Sequence, residues 1–391
     1  MTRELDLVLF GATGFTGGLV AEYLAAKGEL EPGRWALAGR DAAKLERVRL
    51  RLEGIDLRCE EVGLIEADVG DAASLRAMAR RARVVISTVG PYVRFGEPVV
   101  EACVAEGADY VDITGEPAFV ERTLTKHAQA AEAAGVRVVS CCGFDSIPHD
   151  LGAWLCARAL PEGAPKAVEG FVEGSLAPSG GSWQSVLDAL GDLRGARSRS
   201  RGGDEVEGRR VSSLPARLHW EPRLDCWAVP MPTIDPDVVK RSARALPEFG
   251  PDFRYGHYLQ VRRKRTLVGG ALGLGALVAA AQLPPLRRAL GRLRPPGEGP
   301  SAATRAASWF CCTYLGEGGG RRARVDVSGG DPGYDETAKM LAEAALCLAR
   351  DRDRLPERLG VLTTASAMGE PLLARLRAAG LRFDVASSSA R

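Results

Sequence analysis

The apolar run "LDLVLF" (residues 5–10) gives way to Gly11-Ala12-Thr13-Gly14-Phe15-Thr16-Gly17, and helical periodicity then carries on to Lys27. A strand, a glycine-rich turn and a helix in immediate succession belong to a parallel α/β layer and to little else. The spacing is a G-x-x-G-x-x-G variant of the dinucleotide fingerprint. Gly11 permits a tight turn out of the strand, Gly14 lets the backbone approach a pyrophosphate, and Gly17 lets the helix sit close to the strand. The free N–H groups and positive dipole end of the helix then face the anion. The residues expected to line this cofactor site are Gly11, Thr13, Gly14, Phe15, Thr16 and Gly17.

The alternation continues. Apolar runs at 35–39, 62–67, 84–89, 110–113 and 136–140 read as further strands, separated by helical stretches at 42–52, 72–80, 98–106 and 117–134. Six such strands predict a doubly wound parallel sheet over residues 1–150. With 391 residues, the chain is too long for one typical core, so a second domain is expected. From 151 to 355 the texture is α+β. Isolated strands are predicted at 168–173 and 258–262, an antiparallel hairpin at 309–315 and 321–327, and an amphipathic helix at 335–349. The Arg/Gly-rich stretch 195–210 reads as the centre of a mobile loop, 195–213.

The end of the second predicted strand selects the nucleotide. Binders of NAD usually place an acidic residue there for the ribose 2′-hydroxyl. Here Gly39 takes that place and Arg40 follows, a fork suited to a 2′-phosphate. NADP(H) is therefore expected, with Lys44 adding a second charge. Asp41 and Asp71 read as helix N-caps, and Asp68 stands where adenine commonly lies. "STVGPY" (87–92) ends the fourth strand at the topological switch point, which places Thr88, Val89 and Gly90 near the nicotinamide and Tyr92 beside it. Tyr23 and Lys27 have a Tyr-x-x-x-Lys spacing, but they lie on the first helix, away from the ligand side of the sheet.

Net charge is +2, so there is no overall basic field to recruit nucleic acid. None of the nine cysteines falls in a metal-ligand spacing, and no metal site is expected. Buried free thiols in a reducing, cytoplasmic compartment are the expectation. A first strand starting near Leu5 is expected to leave no room for a signal peptide.

"GATGFTG", "LAGRD", "STVGPYVRFGEPVVEAC", "YVDITGE" and "CGFDSIPHDLG" together resemble the saccharopine dehydrogenase-like oxidoreductases. "MPTIDPDVVKRSARAL", "DPGYDETAKMLAEAALCLA" and "GVLTTASAMGEPLLARLRAAGLRFDV" narrow the resemblance to the trans-acting enoyl reductase branch. It implies an NADP-binding Rossmann domain, a second domain, and a C-terminal segment, 356–391, that packs back toward the first. It also implies reduction of an α,β-unsaturated acyl thioester, held on a carrier protein or polyketide synthase, during complex lipid and glycolipid assembly. An enolate-like oxyanion and an α-carbon proton would need donors. Tyr92 and the Ser146 hydroxyl are the candidate donors, and Asp145 is placed either to orient a neighbour or, the preferred reading, to cap the helix that follows Pro148. The alternatives are an imine or ketone reductase acting on a saccharopine-like metabolite, and a non-catalytic NADP-binding, membrane-associated protein.

One apolar segment, 266–283, is flanked by basic clusters within 261–288. Its fifteen uncharged residues, 267–281, would make a helix of about 22 Å, short of the roughly 30 Å hydrocarbon core. It reads as a buried helix, a homodimer interface, or a peripheral contact with the inner face of the plasma membrane.

Overall fold

The computed structural model describes residues 3–175, 204–206, 208–281, 286 and 299–389. Two compact units emerge, each made from two stretches of chain. The first comprises Met1–Ile147 and Tyr334–Gly380, the second Pro148–Gly333 and Leu381–Arg391.

The first unit is a seven-stranded, wholly parallel sheet. Its strands are β1 (Leu5–Phe10), β2 (Trp35–Gly39), β3 (Gly63–Glu66), β4 (Ala82–Ser87), β5 (Asp109–Asp112), β6 (Arg137–Val139) and, far along the chain, Gly360–Leu362. Their spatial order is Gly360–Leu362, β6, β5, β4, β1, β2, β3. Every residue of β1, β2 and β5 is buried, as strands covered on both faces require. The helices α1 (Phe15–Lys27), α2 (Ala42–Glu53), α3 (Ala72–Arg81), α4 (Tyr92–Glu106) and α5 (Pro117–Ala133) make the crossovers.

Two expectations change here. The fourth crossover helix starts at Tyr92, six residues before the predicted start at Pro98, which lies inside it. A carboxylate from a distant turn supplies its N-terminal cap: Glu116 accepts from the N–H groups of Tyr92 (3.0 Å) and Val93 (2.9 Å). The amphipathic helix, observed at Asp335–Arg350, belongs to the first unit, where it packs against α1, β4 and β5. Its burial on nearly all sides reflects that position.

The second unit opens with helix α6 (Ile147–Arg158), most of which lies in it. A nine-stranded mixed sheet follows, with strands β7 (Lys166–Gly174), β8 (Asp204–Val206), β9 (Arg209–Ser213), β10 (His219–Glu221), β11 (Cys226–Pro230), β12 (Asp252–Val261), β13 (Phe310–Gly318), β14 (Arg321–Gly329) and the terminal strand Arg382–Ser389. The expected hairpin is β13–β14, paired from Phe310–Gly329 to Gly318–Arg321. Residues 209–213, expected in a mobile loop, form β9 instead. Val211 is buried, and Arg209 ties the strand to the carbonyls of Ala243 and Leu246 at the end of helix Asp235–Ala245. The part of that loop at 195–203 lies outside the described residues. The C-terminal segment divides: Gly360–Leu362 pairs with β6, whereas Arg382–Ser389 pairs antiparallel with β14.

The apolar segment forms helix Lys264–Ala281, of 18 residues. No described helix is long and apolar enough to cross a membrane.

Candidate functional site

Gly11 leaves β1 with φ of +93°, a left-handed conformation that glycine adopts without strain. Its N–H donates to Ala38 O (2.9 Å), and the Gly14 N–H donates to Gly11 O (3.0 Å). A Cβ on Gly17 would come within 2.2 Å of Gly11 O, so only glycine lets α1 seat against the turn. Gly14 is the N-cap of α1, without a side-chain cap and with no acid in the first turn. The first-turn N–H groups have no acceptor within the helix and suit a phosphate oxygen. Thr13 and Gly14 are exposed at the rim. Thr16 is half-buried, and the half-buried Phe15 packs edge-on against Tyr334, ring centroids 4.9 Å apart.

Beside this turn β2 ends in Gly39 and Arg40. Arg40 is exposed and makes no hydrogen bond or ion pair with any described residue, leaving its guanidinium available to a phosphate. The residue at the strand end is Gly39, with no carboxylate of its own for a ribose 2′-hydroxyl. Asp41 caps α2, accepting from Lys44 N at 3.0 Å. Lys44 Nζ lies 3.7 Å from the Asp41 carboxylate, so both basic residues flank the same edge. Asp68 accepts from Gly70 N (2.7 Å) and shapes its own turn, while Asp71 caps α3.

At the end of β4, Thr88 Oγ1 donates to Gly11 O (3.2 Å), stitching the switch-point strand to the glycine turn. Val89 also lines this turn, because a Cβ on Gly11 would meet its Cγ2 at 2.9 Å. Gly90 is exposed. Tyr92 turns the other way. It is buried against Phe119 and donates its hydroxyl to Ser87 O at 3.0 Å. Burial pushes its pKa well above the ordinary tyrosine value. Expected beside the nicotinamide as a proton donor, Tyr92 is a core residue here, because the early start of α4 aims its side chain inward.

After β6, the N–H groups of Ser146 (3.2 Å) and Ile147 (3.0 Å) donate to Gly143 O, winding the chain into α6. Ser146 is fully buried and its hydroxyl donates to Asp145 O, so it too faces inward. Asp145 is exposed, with its Oδ2 close above Gly115. Beneath this turn lies a carboxylate that sequence reasoning did not single out. Asp112 is fully buried at the end of β5 and accepts from Thr114 N (2.9 Å), Cys141 N (3.0 Å) and Ser140 Oγ (3.0 Å). Burial raises its pKa to about 6 against the opposing pull of those donors. Its place at the end of a strand in "YVDITGE" was the one available signal.

All nine cysteines are free, and eight are buried.

The family profile of the saccharopine dehydrogenase NADP binding domain matches residues 7–139, the span that carries β1–β6 and the glycine turn, and the cofactor is NADP(H). A Mycobacterium tuberculosis protein provisionally named a trans-acting enoyl reductase is 38% identical over 98% of this chain and 97% of its own. A trans-acting enoyl reductase of Mycobacterium bovis is 36% identical over 97% of both chains. Among solved structures, apo saccharopine dehydrogenase (L-Glu forming) of Saccharomyces cerevisiae superposes with a TM-score of 0.58, covering 98% of this chain and all of that one at 14% identity, a likeness of fold. A parallel NADP-binding sheet, a second mixed-sheet unit and full-length identity of this order make the chain an NADP-dependent oxidoreductase that belongs to the trans-acting enoyl reductase family.

Proposed function

We propose that this chain reduces an α,β-unsaturated acyl thioester presented by a carrier protein or polyketide synthase, in the assembly of complex lipids or glycolipids. Full-length identity to proteins named for enoyl reduction carries the reading. NADPH bound at the Gly11 turn supplies the hydride. Gly11, Gly14 and Gly17 admit the pyrophosphate to the end of α1, Arg40 and Lys44 hold the 2′-phosphate, and Thr88, Val89 and Gly90 border the nicotinamide end. Of the three candidate catalytic residues, Asp145 alone is exposed, where its carboxylate orients the group that delivers the α-carbon proton.

The test is NADPH oxidation by the purified chain with matched 2-enoyl and 3-ketoacyl thioesters, on coenzyme A and on a carrier protein, and with a soluble amino-acid-derived imine. Enoyl-dependent oxidation yielding the saturated product is the expected result. Turnover on the ketone or imine alone overturns the substrate assignment, and tight NADPH binding without turnover on any of them overturns the reaction.

Helix Lys264–Ala281 supports a peripheral membrane contact. Val268, Gly269, Gly270 and Gly273 are exposed, and beyond the adjoining turns of the helix no described atom lies within 4 Å of a Cβ built on any of these glycines. Exposed Arg263, Lys264 and Arg265 precede them, a charge pattern that complements an anionic leaflet. Flotation with anionic but not neutral vesicles, lost on replacing the three cations with Ser, is expected. Equal recovery with both vesicle types overturns it.

A further inference from the structure

Three side chains from three separate elements of the second unit meet in its interior. His149 comes from the first turn of α6, Asp235 from the start of helix Asp235–Ala245, and His257 from the middle of β12. All three are buried. His149 Nε2 lies 4.0 Å from Asp235 Oδ1, and His257 Nε2 lies 3.4 Å from Asp235 Oδ2. The two rings meet nearly at right angles with centroids 4.7 Å apart, so both Nε2 atoms turn toward the one carboxylate.

The outer nitrogens are occupied. His149 Nδ1 is 2.7 Å from the Tyr314 hydroxyl, and His257 Nδ1 is 3.1 Å from the Tyr255 hydroxyl. Of the inner atoms, Asp235 Oδ1 is buried without a hydrogen-bond partner among the described residues, and His257 Nε2 has only its long 3.4 Å approach to Oδ2. Buried polar atoms left in that state are rare in native proteins and call for an explanation. The separations themselves supply one. Nitrogen and oxygen donors about 2.1 Å from a zinc ion stand about 3.0–3.4 Å from one another; the His257–Asp235 separation of 3.4 Å meets this, the His149–Asp235 separation of 4.0 Å is wider, and all three potential donors lie within 4.8 Å. The three donors converge closely enough for one cation to join them, with His149 drawn inward on binding.

We propose that His149, Asp235 and His257 bind a divalent transition-metal ion of the zinc class through the two Nε2 atoms and the carboxylate. Two histidines and a carboxylate are a borderline-soft donor set suited to zinc or iron rather than to magnesium or calcium. Each tyrosine oxygen then accepts the Nδ1–H of its histidine, fixing ring and tautomer from the outer shell. Three protein ligands leave a coordination position for water, and the ion clips α6, helix Asp235–Ala245 and β12 together. The ligands stand 86 and 22 residues apart in sequence, beyond the reach of any spacing pattern. The proposal is independent of the acyl substrate.

The full chain, stripped with chelator and dialysed, is titrated with Zn(II) and Co(II) and its metal content measured by elemental analysis. Expected are one ion per chain, visible Co(II) ligand-field bands and a rise in Tm on reloading. Asp235→Asn and His257→Gln should abolish these. Tyr255→Phe, which keeps every ligand, should weaken affinity about 10- to 100-fold. The far-UV circular dichroism and resistance to proteolysis of each variant verify that its second unit has folded. Absence of stoichiometric metal, of Co(II) bands and of any Tm change in the wild-type chain overturns the proposal without recourse to a variant, and assigns the cluster to a hydrogen-bonded polar network. Undiminished binding in folded Asp235→Asn overturns it equally.

Discussion

Lys27 Nζ lies 2.7 Å from Glu343 Oε1, although the two stand 316 positions apart in the chain. The hydroxyl of Tyr23, one turn earlier on α1, donates to the same oxygen at 2.5 Å. Arg375, on helix Gly369–Ala378, reaches Oε2 at 3.2 Å and also pairs with Glu29 and Asp351. The Tyr-x-x-x-Lys spacing is thus a tether between α1 and helix Asp335–Arg350, built on a carboxylate with no exposed surface. Breaking a buried pair from one side costs about 3–5 kcal/mol. Glu343→Ala should lower the urea midpoint accordingly at unchanged slope, and Tyr23→Phe should cost about 1 kcal/mol. If Glu343→Ala keeps the wild-type midpoint, the tether is incidental.

Arg40 decides between the two nicotinamide cofactors. Losing a charge-assisted contact worth about 1.5–3 kcal/mol should weaken NADPH about 10- to 150-fold in Arg40→Ala. NADH, which lacks the 2′-phosphate, should bind as before. Fluorescence titration with both cofactors measures this, and a parallel loss for both removes Arg40 from the phosphate site.

Gly17 and Gly14 should respond differently to alanine. The Cβ at Gly17 would fall 2.2 Å from Gly11 O, whereas at Gly14 it would fall 3.3 Å from the same atom. Gly17→Ala should lose both NADPH binding and several degrees of Tm. Gly14→Ala should keep its Tm and lose affinity only. Thermal melts with and without cofactor separate the two, and equal behaviour contradicts the close approach of α1 to the turn.

Asp112 gives the fold a pH dependence of definite sign. Its pKa stands at about 6 in the folded chain against an ordinary value of 3.8, so between about pH 4 and 6 the native state holds the extra proton. This contribution is full below that window and is lost as pH rises through 6. At about 1.36 kcal/mol per pH unit, it amounts to about 3 kcal/mol. Asp112→Asn should remove it, so the stability difference between variant and wild type should grow in the variant's favour from pH 4 to pH 7. Parallel stability–pH curves for the two chains contradict the assignment.

Six of the seven strands of the first sheet were legible because parallel strands buried on both faces are written as plain apolar runs, and the glycine turn because its three positions answer separate steric demands; the short seventh strand, Gly360–Leu362, was not. The caps at Asp41 and Asp71 were legible for the same local reason. Tyr92 was not. Its orientation depends on Glu116, a carboxylate 24 positions away, and no local pattern signals that α4 begins before Pro98. The second sheet was half legible. Its hairpin announces itself through glycine, but β9 and β11 pair with successive halves of the same edge of β12, and short, partly exposed strands leave no clear period. Ligand-like convergence of His149, Asp235 and His257 exists only once three elements are packed.

The return of the chain to the first sheet bears on how the protein is made. Its seventh strand, Gly360–Leu362, and the helix over α1, β4 and β5 are translated after almost all of the second unit. While the ribosome is still working through the middle of the chain, β6 is an open sheet edge and the apolar face awaiting helix Asp335–Arg350 is bare. Neither unit can close until the last tenth of the polypeptide emerges. Nascent chains stalled near residue 330 should therefore engage chaperones and fail to retain NADPH, although every residue of the glycine turn has long since been synthesised.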